Sequence, residues 1–182
     1  LTRSRGLGDV YKRQVTNLPA GRVFVMPKEG TAQGKIVLDG SWEGHTLGDP
    51  VQLTIKDGLL VSASGDKMSA DIESFFDQSG EAMRSGKGHL VRTLSEFSFG
   101  MNPRAKKGLG LLEDQCWRGG AMFAFGNNTV LGGTASVHTN VRGLMTKPTV
   151  EIDGKPLMME GKYTPRSISV SYTHLTLPTT VR

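Results

Sequence analysis

Glu96-Phe97-Ser98-Phe99-Gly100-Met101-Asn102-Pro103 is followed by Gly119-Gly120-Ala121-Met122-Phe123-Ala124-Phe125-Gly126, and then by Ser136-Val137-His138-Thr139-Asn140. Each is a short run of apolar and small residues bounded by Gly or Pro, which is the pattern of strands rather than helices. Polar groups sit inside these runs. Glu96 opens an apolar strand, and a half-buried carboxylate must be paired, protonated or bound to a cation. His138 and Asn140 lie two apart on extended chain, so their side chains share one face. A His-x-carboxylate pair joined by a distant Glu suits iron or zinc, and Asn140 supplies a neutral oxygen in place of the carboxylate. Glu96, His138 and Asn140 are the candidate metal ligands; the alternative for His138 is a structural histidine hydrogen-bonded in the core. No residue is assigned as a catalytic acid or base.

Outward from this stretch the chain keeps reading as strands. Arg22 to Met26 is a short strand stopped by Pro27, and Gly34 to Gly40 is a second, bounded by glycines. Val51 to Ile55 turns through Lys56-Asp57-Gly58 into Leu59 to Ala63, an Asp-Gly hairpin, and Thr149 to Met158 repeats the device at Asp153-Gly154. One helix is expected, Ser69 to Arg84, with Ser69 as N-cap, an apolar stripe of Ile72, Phe75, Phe76 and Met83, and Gly86 and Gly88 as terminators. A short helical turn is expected within Lys106 to Cys116, and a further strand over Val137 to Val141. The fold class is α+β: a β-rich, mixed-sheet domain with one main helix packed on it. Phe97, Phe99, Phe123 and Phe125 are core residues, and Trp42 and Trp117 have no assigned role.

The ends read differently. Leu7 to Gln14 and Val170 to Thr179 each match one reading frame of a transposon-type sequencing adapter, so the expected organisation is adapter-derived sequence at 1–14 and 170–182 around a natural fragment at 15–169. The chain carries 22 Lys and Arg against 17 Asp and Glu, but five of those bases and one acid fall in the two ends, leaving 17 against 16. The apparent basicity therefore implies neither a nucleic-acid nor a membrane partner. The single cysteine, Cys116, excludes an internal disulfide and suits a reducing, cytoplasmic setting. Gly80 to Gly88 has the look of a phosphate loop, but its spacing is one residue too long, Gly88 stands where the hydroxyl belongs, and it follows a helix; it reads as a helix terminator.

Several of these motifs occur in one order: Asn17-Leu18-Pro19-Ala20-Gly21-x-Val23-Phe24, Gly34-x-Ile36-Val37-Leu38-Asp39-Gly40, Phe99-Gly100-x-Asn102-Pro103, Leu112-Glu113-Asp114, Gly119-Gly120 with Ala124-x-Gly126, and Ser136-x-His138. The series resembles the C-terminal, metal-bearing half of the aminopeptidase T family of metallopeptidases, a scaffold shared with the dihydroxypyridine ring-cleaving dioxygenases. It covers Val15 to Tyr163.

The resemblance implies a divalent metal ion, iron for a dioxygenase and zinc or cobalt for a peptidase. It also implies a small-molecule or peptide substrate and a homo-oligomer in the full-length protein. The peptidase pattern holds two ions on two Glu, two His, an Asp and a Tyr. Carried onto this sequence, the second Glu is Glu96 and the second His is His138. Arg22 stands where the first Glu belongs, Met122 for the first His, Thr129 for the Tyr and Asn140 for the Asp. The dioxygenase pattern needs one ion, at positions corresponding to Glu96, His138 and Asn140. Three readings follow: a one-metal ring-cleaving enzyme, a two-metal aminopeptidase, and a scaffold without metal chemistry in which Arg22 and Glu96 form an ion pair.

Overall fold

The computed structural model describes residues 3–5, 20–65, 67–83, 86–108 and 111–164. The adapter-like stretches Leu7 to Gln14 and Val170 to Thr179 lie outside these residues, as do Asn17, Leu18 and Pro19 of the first turn. In chain order the strands are β1 (Arg3–Arg5), β2 (Arg22–Val25), β3 (Gly34–Leu38), β4 (Ser41–Trp42), β5 (His45–Thr46), β6 (Val51–Lys56) and β7 (Leu59–Gly65). Helix α1 (Met68–Glu81) and a 3-10 turn at Gly88–Arg92 follow, then β8 (Leu94–Gly100), α2 (Leu111–Asp114) and β9 (Ala121–Gly126). A second 3-10 turn, Thr129–Leu131, leads to β10 (Asn140–Met145), β11 (Val150–Ile152), β12 (Lys155–Met159) and β13 (Lys162–Tyr163). The protein is a β-rich α+β fold in which the strands form three sheets, antiparallel throughout. The orders are β1-β2-β8-β9-β10-β4-β5, β3-β6-β7 and β11-β12-β13.

Both Asp-Gly hairpins form as read. Asp57 and Gly58 take φ of 51° and 74°, and Asp153 and Gly154 take 51° and 70°, the paired positive values a two-residue turn between twisted strands requires. A third hairpin, Ser41 to Thr46, turns on Glu43 and Gly44 at φ 50° and 82°. Its two-residue strands are too short to show any alternation.

Helix α1 is shorter than expected and starts without a side-chain cap. Its N-cap is Lys67 rather than Ser69, and it ends at Glu81, before Arg84. Ile72 and Phe76 are buried as the stripe implied, whereas Phe75 is 38% exposed. Val137 to Thr139 is not strand: the chain bends at His138, the Val137 and Thr139 carbonyls accept from Asn127, and the strand begins only at Asn140.

One face of the large sheet carries the main core. Leu94, Phe125 and Val141 on that face meet Ile36, Leu38, Val51, Leu53 and Leu60 of the second sheet and Ile72 and Phe76 of α1. Trp42, from the short hairpin, packs 6.1 Å from Phe76 and 6.3 Å from Phe125, ring centre to ring centre. Complete burial of Phe76 and Phe125 contributes roughly 1.5–3 kcal/mol each. Gly143 makes room for this layer: a Cβ there would lie 2.3 Å from Leu38 Cδ1. Further along the same face Phe99, Ala121 and Met158 form a second cluster that seats the third sheet, with Phe97 half-buried beside it. Tyr163 fastens that sheet by donating its hydroxyl to the Gly100 carbonyl at 2.9 Å.

Candidate metal centre

The face of the large sheet turned away from the aromatic core holds the candidate ligands, and a β-bulge puts Glu96 there. Leu94 pairs with Phe125 while Glu96 pairs with Ala124, so Ser95 is an extra residue in β8. The insertion reverses the strand's parity. Leu94, Phe97 and Phe99 face the core, and Glu96 and Ser98 face the other way.

Glu96 is 5% exposed, and its carboxylate has a partner. Arg22, on the neighbouring strand β2, donates from Nη1 to Glu96 Oε1 at 2.6 Å. The guanidinium is also held over the Phe24 ring at 4.9 Å. Charge-assisted contact of this kind satisfies a buried carboxylate without a metal ion.

Asn140 pairs with Gly126, and Arg142 with Ala124, so β10 presents Asn140 and Arg142 on the same face as Glu96. Two strand spacings, about 10 Å, separate the Glu96 row from the β10 row. Asn140 is exposed and donates from Nδ2 to the Asn127 carbonyl at 3.3 Å. His138 lies at a bend just before β10 and is exposed, between the buried Val137 and Thr139. It is not a core histidine. Asn140 therefore stands at one end of the face, while Glu96 is buried within it.

The remaining positions of the two-ion pattern carry no ligand. Met122 is 2% exposed in the same face of β9, between Ser98 and Leu144. Thr129 is exposed in the 3-10 turn, hydrogen-bonded to Asn127. Among the described residues there is no group of three or more His, Cys, Asp and Glu side chains placed to hold a metal ion. A two-ion site does not fit: a guanidinium occupies the place of one carboxylate and a thioether that of one imidazole. Of the three candidate ligands, Glu96 is already engaged by Arg22, and His138 and Asn140 are exposed.

Asp114, in α2, turns out to be structural. It is 1% exposed and accepts from Gly108 N at 2.6 Å and Ser41 Oγ at 3.2 Å, tying the loop to the β4 hairpin. Cys116 is buried close by, and burial pushes its thiol pKa up, partly offset by Arg22. An unionised buried thiol is a poor nucleophile. Arg142 drew no attention as sequence, because a lone arginine in a strand reads as solvated surface. Among the described residues no helix is long and apolar enough to cross a membrane.

Comparison with known proteins agrees with this architecture. No curated protein sequence matches the chain. A solved 2,5-dihydroxypyridine dioxygenase from Pseudomonas putida superposes with a TM-score of 0.72 at 18% identity, over 81% of this chain and 44% of that one. Wild-type AmpT from Thermus thermophilus superposes with a TM-score of 0.57 at 15% identity, over 82% of this chain and 41% of that one. At these identities the likeness is one of fold, and the chain spans less than half the length of either relative. The family model of the 2,5-dihydroxypyridine 5,6-dioxygenases matches residues 4–165. The chain belongs to the 2,5-dihydroxypyridine 5,6-dioxygenase family.

Proposed function

We propose that the chain contributes to a one-ion, ring-cleaving dioxygenase site rather than a two-ion peptidase site, with Glu96, His138 and Asn140 as donors and iron as the ion. The observation that carries the choice is Arg22 Nη1 at 2.6 Å from Glu96 Oε1. A fixed cation beside the buried carboxylate of this face leaves no place for a second metal ion. Family membership supports the ring-cleaving chemistry, and the shared face of Glu96 and Asn140 supports the donor set. A divalent ion bound there would act as an electrophilic centre with open positions for substrate and dioxygen. Glu96, His138 and Asn140 would be the residues that hold it. The substrate is then a small aromatic molecule.

A second reading has the same ion pair behind it. Arg22 satisfies Glu96 without any ion, which supports a homologue that keeps the fold and has lost the metal. Metal analysis by mass spectrometry separates the readings, run on protein purified without chelators beside its His138→Ala variant. One iron per chain, lost on the substitution, is the expected result. Two ions would return the peptidase, and none in either protein would sink the one-ion reading and leave the metal-free homologue.

A further inference from the structure

Asn127, half-buried just beyond the end of β9, engages all four of its hydrogen-bonding groups with the loop that leads to β10. Its main-chain N–H donates to the Thr139 carbonyl and its Nδ2 to the Val137 carbonyl, both at 2.7 Å. The two carbonyls that flank His138 are therefore held by one residue. Its Oδ1 accepts from the Thr129 N–H at 3.0 Å and from the Thr129 hydroxyl at 2.8 Å. Its own carbonyl accepts from Asn140 Nδ2 at 3.3 Å. Gly126 lets the two segments close, since a Cβ there would lie 2.2 Å from the Thr139 carbonyl oxygen.

This arrangement fixes main chain and leaves donor atoms open. The His138 imidazole is exposed and has no hydrogen-bond partner among the described residues, although the chain on either side of it is buried and held. Asn140 spends its nitrogen on Asn127, so Oδ1 is the atom of that amide left to offer. An amide oxygen has lone pairs for a metal ion, whereas an amide NH2 has only hydrogens to give. A donor on a loose backbone loses conformational freedom when it binds, and one on a backbone already fixed loses less. The far part of the same loop has a separate anchor. Glu29 takes the Thr134 N–H and hydroxyl and Asn128 Nδ2, and none of those contacts is made to His138 or Asn140.

We propose that Asn127 is the positioning residue of this site, holding the His138 bend and leaving the Asn140 amide oxygen as the free donor. Its part toward a metal ion rests on the one-ion reading; the fixing of the bend rests on the hydrogen bonds alone. Asn127→Ala removes the Nδ2 and Oδ1 bonds and keeps both main-chain ones, so the Val137 side of the bend is released. Glu29→Gln loosens the same loop at its other anchor and is the control for stability alone.

Two measurements on the full chain test this. In protein stripped with a chelator, amide nitrogen relaxation should give His138 an order parameter of about 0.85 in the wild type and in Glu29→Gln, and under about 0.6 in Asn127→Ala. Cobalt(II), titrated into the same proteins and followed by its visible absorption, should bind Asn127→Ala about tenfold more weakly than the wild type, the cost of ordering roughly one residue. Glu29→Gln should keep the wild-type affinity. A mobile His138 in the wild type, a rigid one in Asn127→Ala, equal cobalt affinity in those two proteins, or an equal loss in Glu29→Gln would each overturn the proposal. Should Asn127→Ala fail to fold, judged by circular dichroism, Asn127→Asp takes its place in the relaxation measurement with the same loss of order expected, since it keeps the Oδ1 bonds to Thr129 and loses the donor to Val137. The two readings fail separately. A wild type that takes no cobalt but keeps a rigid His138 removes the one-ion reading and retains the clamp, and one that binds cobalt with a mobile His138 does the reverse.

Discussion

Arg22 reaches diagonally across the sheet to Glu96: its own backbone partner on β8 is Gly100, four residues further along. A side chain extended over that distance, stacked on Phe24 and ending on a buried carboxylate, is committed to one position. Removing either partner leaves an uncompensated charge in a largely buried place. Because Arg22 is a fifth exposed, the lower end of the range for broken buried pairs applies, about 3 kcal/mol. Arg22→Met and Glu96→Gln should each destabilise by about that amount in urea unfolding, and the double variant by clearly less than the sum. Strict additivity would show that the pair does not couple.

The same contact sets a prediction about ions. Arg22→Glu would place a second carboxylate beside Glu96 and remove the competing guanidinium, restoring an acidic pair. Affinity for zinc, followed by competition with a chromophoric chelator, should rise at least tenfold over the wild type. Unchanged affinity would mean that Arg22 does not control access of cations to Glu96.

Glu29 is held below the ordinary carboxylate value of 4.5 chiefly by the backbone N–H and hydroxyl of Thr134, with Asn128 adding a third donor. A depressed folded pKa adds stability above the unfolded value and loses it as pH falls toward the folded one. The melting temperature of Glu29→Gln should therefore lie below that of the wild type at neutral pH, with the gap closing as pH drops under 4.5. A gap that stays constant down to pH 3 would contradict the assignment.

Tyr163 has its phenol pKa pushed up to about 12 by burial, offset in part by Arg118, whose guanidinium lies 5.7 Å from the ring centre. An ultraviolet titration should show one phenol of the chain ionising near 12, and Tyr163→Phe should remove that step. The substitution also leaves the Gly100 carbonyl without its phenol donor, at a cost of about 1 kcal/mol.

Much of the fold was legible because it rests on local chemistry. Asp57-Gly58 and Asp153-Gly154 announce turns that need positive φ, and Ile72 and Phe76 mark the buried side of α1. Glu96 was readable as a buried carboxylate in want of a partner, and Arg22 as the cation able to meet it. Three things were not legible. Phe75 follows the helical period yet faces solvent, because α1 buries a narrow stripe. The β4 hairpin is too short for a pattern, so the role of Trp42 stayed hidden until the core was assembled around it. Arg142 became visible only through register, since its relation to Glu96 passes through Ala124 on a third segment of chain.

Ser95 carries a consequence for how this strand can change over time. Because one supernumerary residue decides which side of β8 looks where, substitutions are tolerated one at a time but changes of length are not. Loss of Ser98 would swap inside for outside over the remainder of the strand, turning the Phe99 ring toward the arginines. Loss of Ser95 itself would leave the alternation intact. The strand behaves as a parity code with a single permitted frame shift, so length variation among relatives of this chain should fall at Ser95 and be absent from the five residues that follow it.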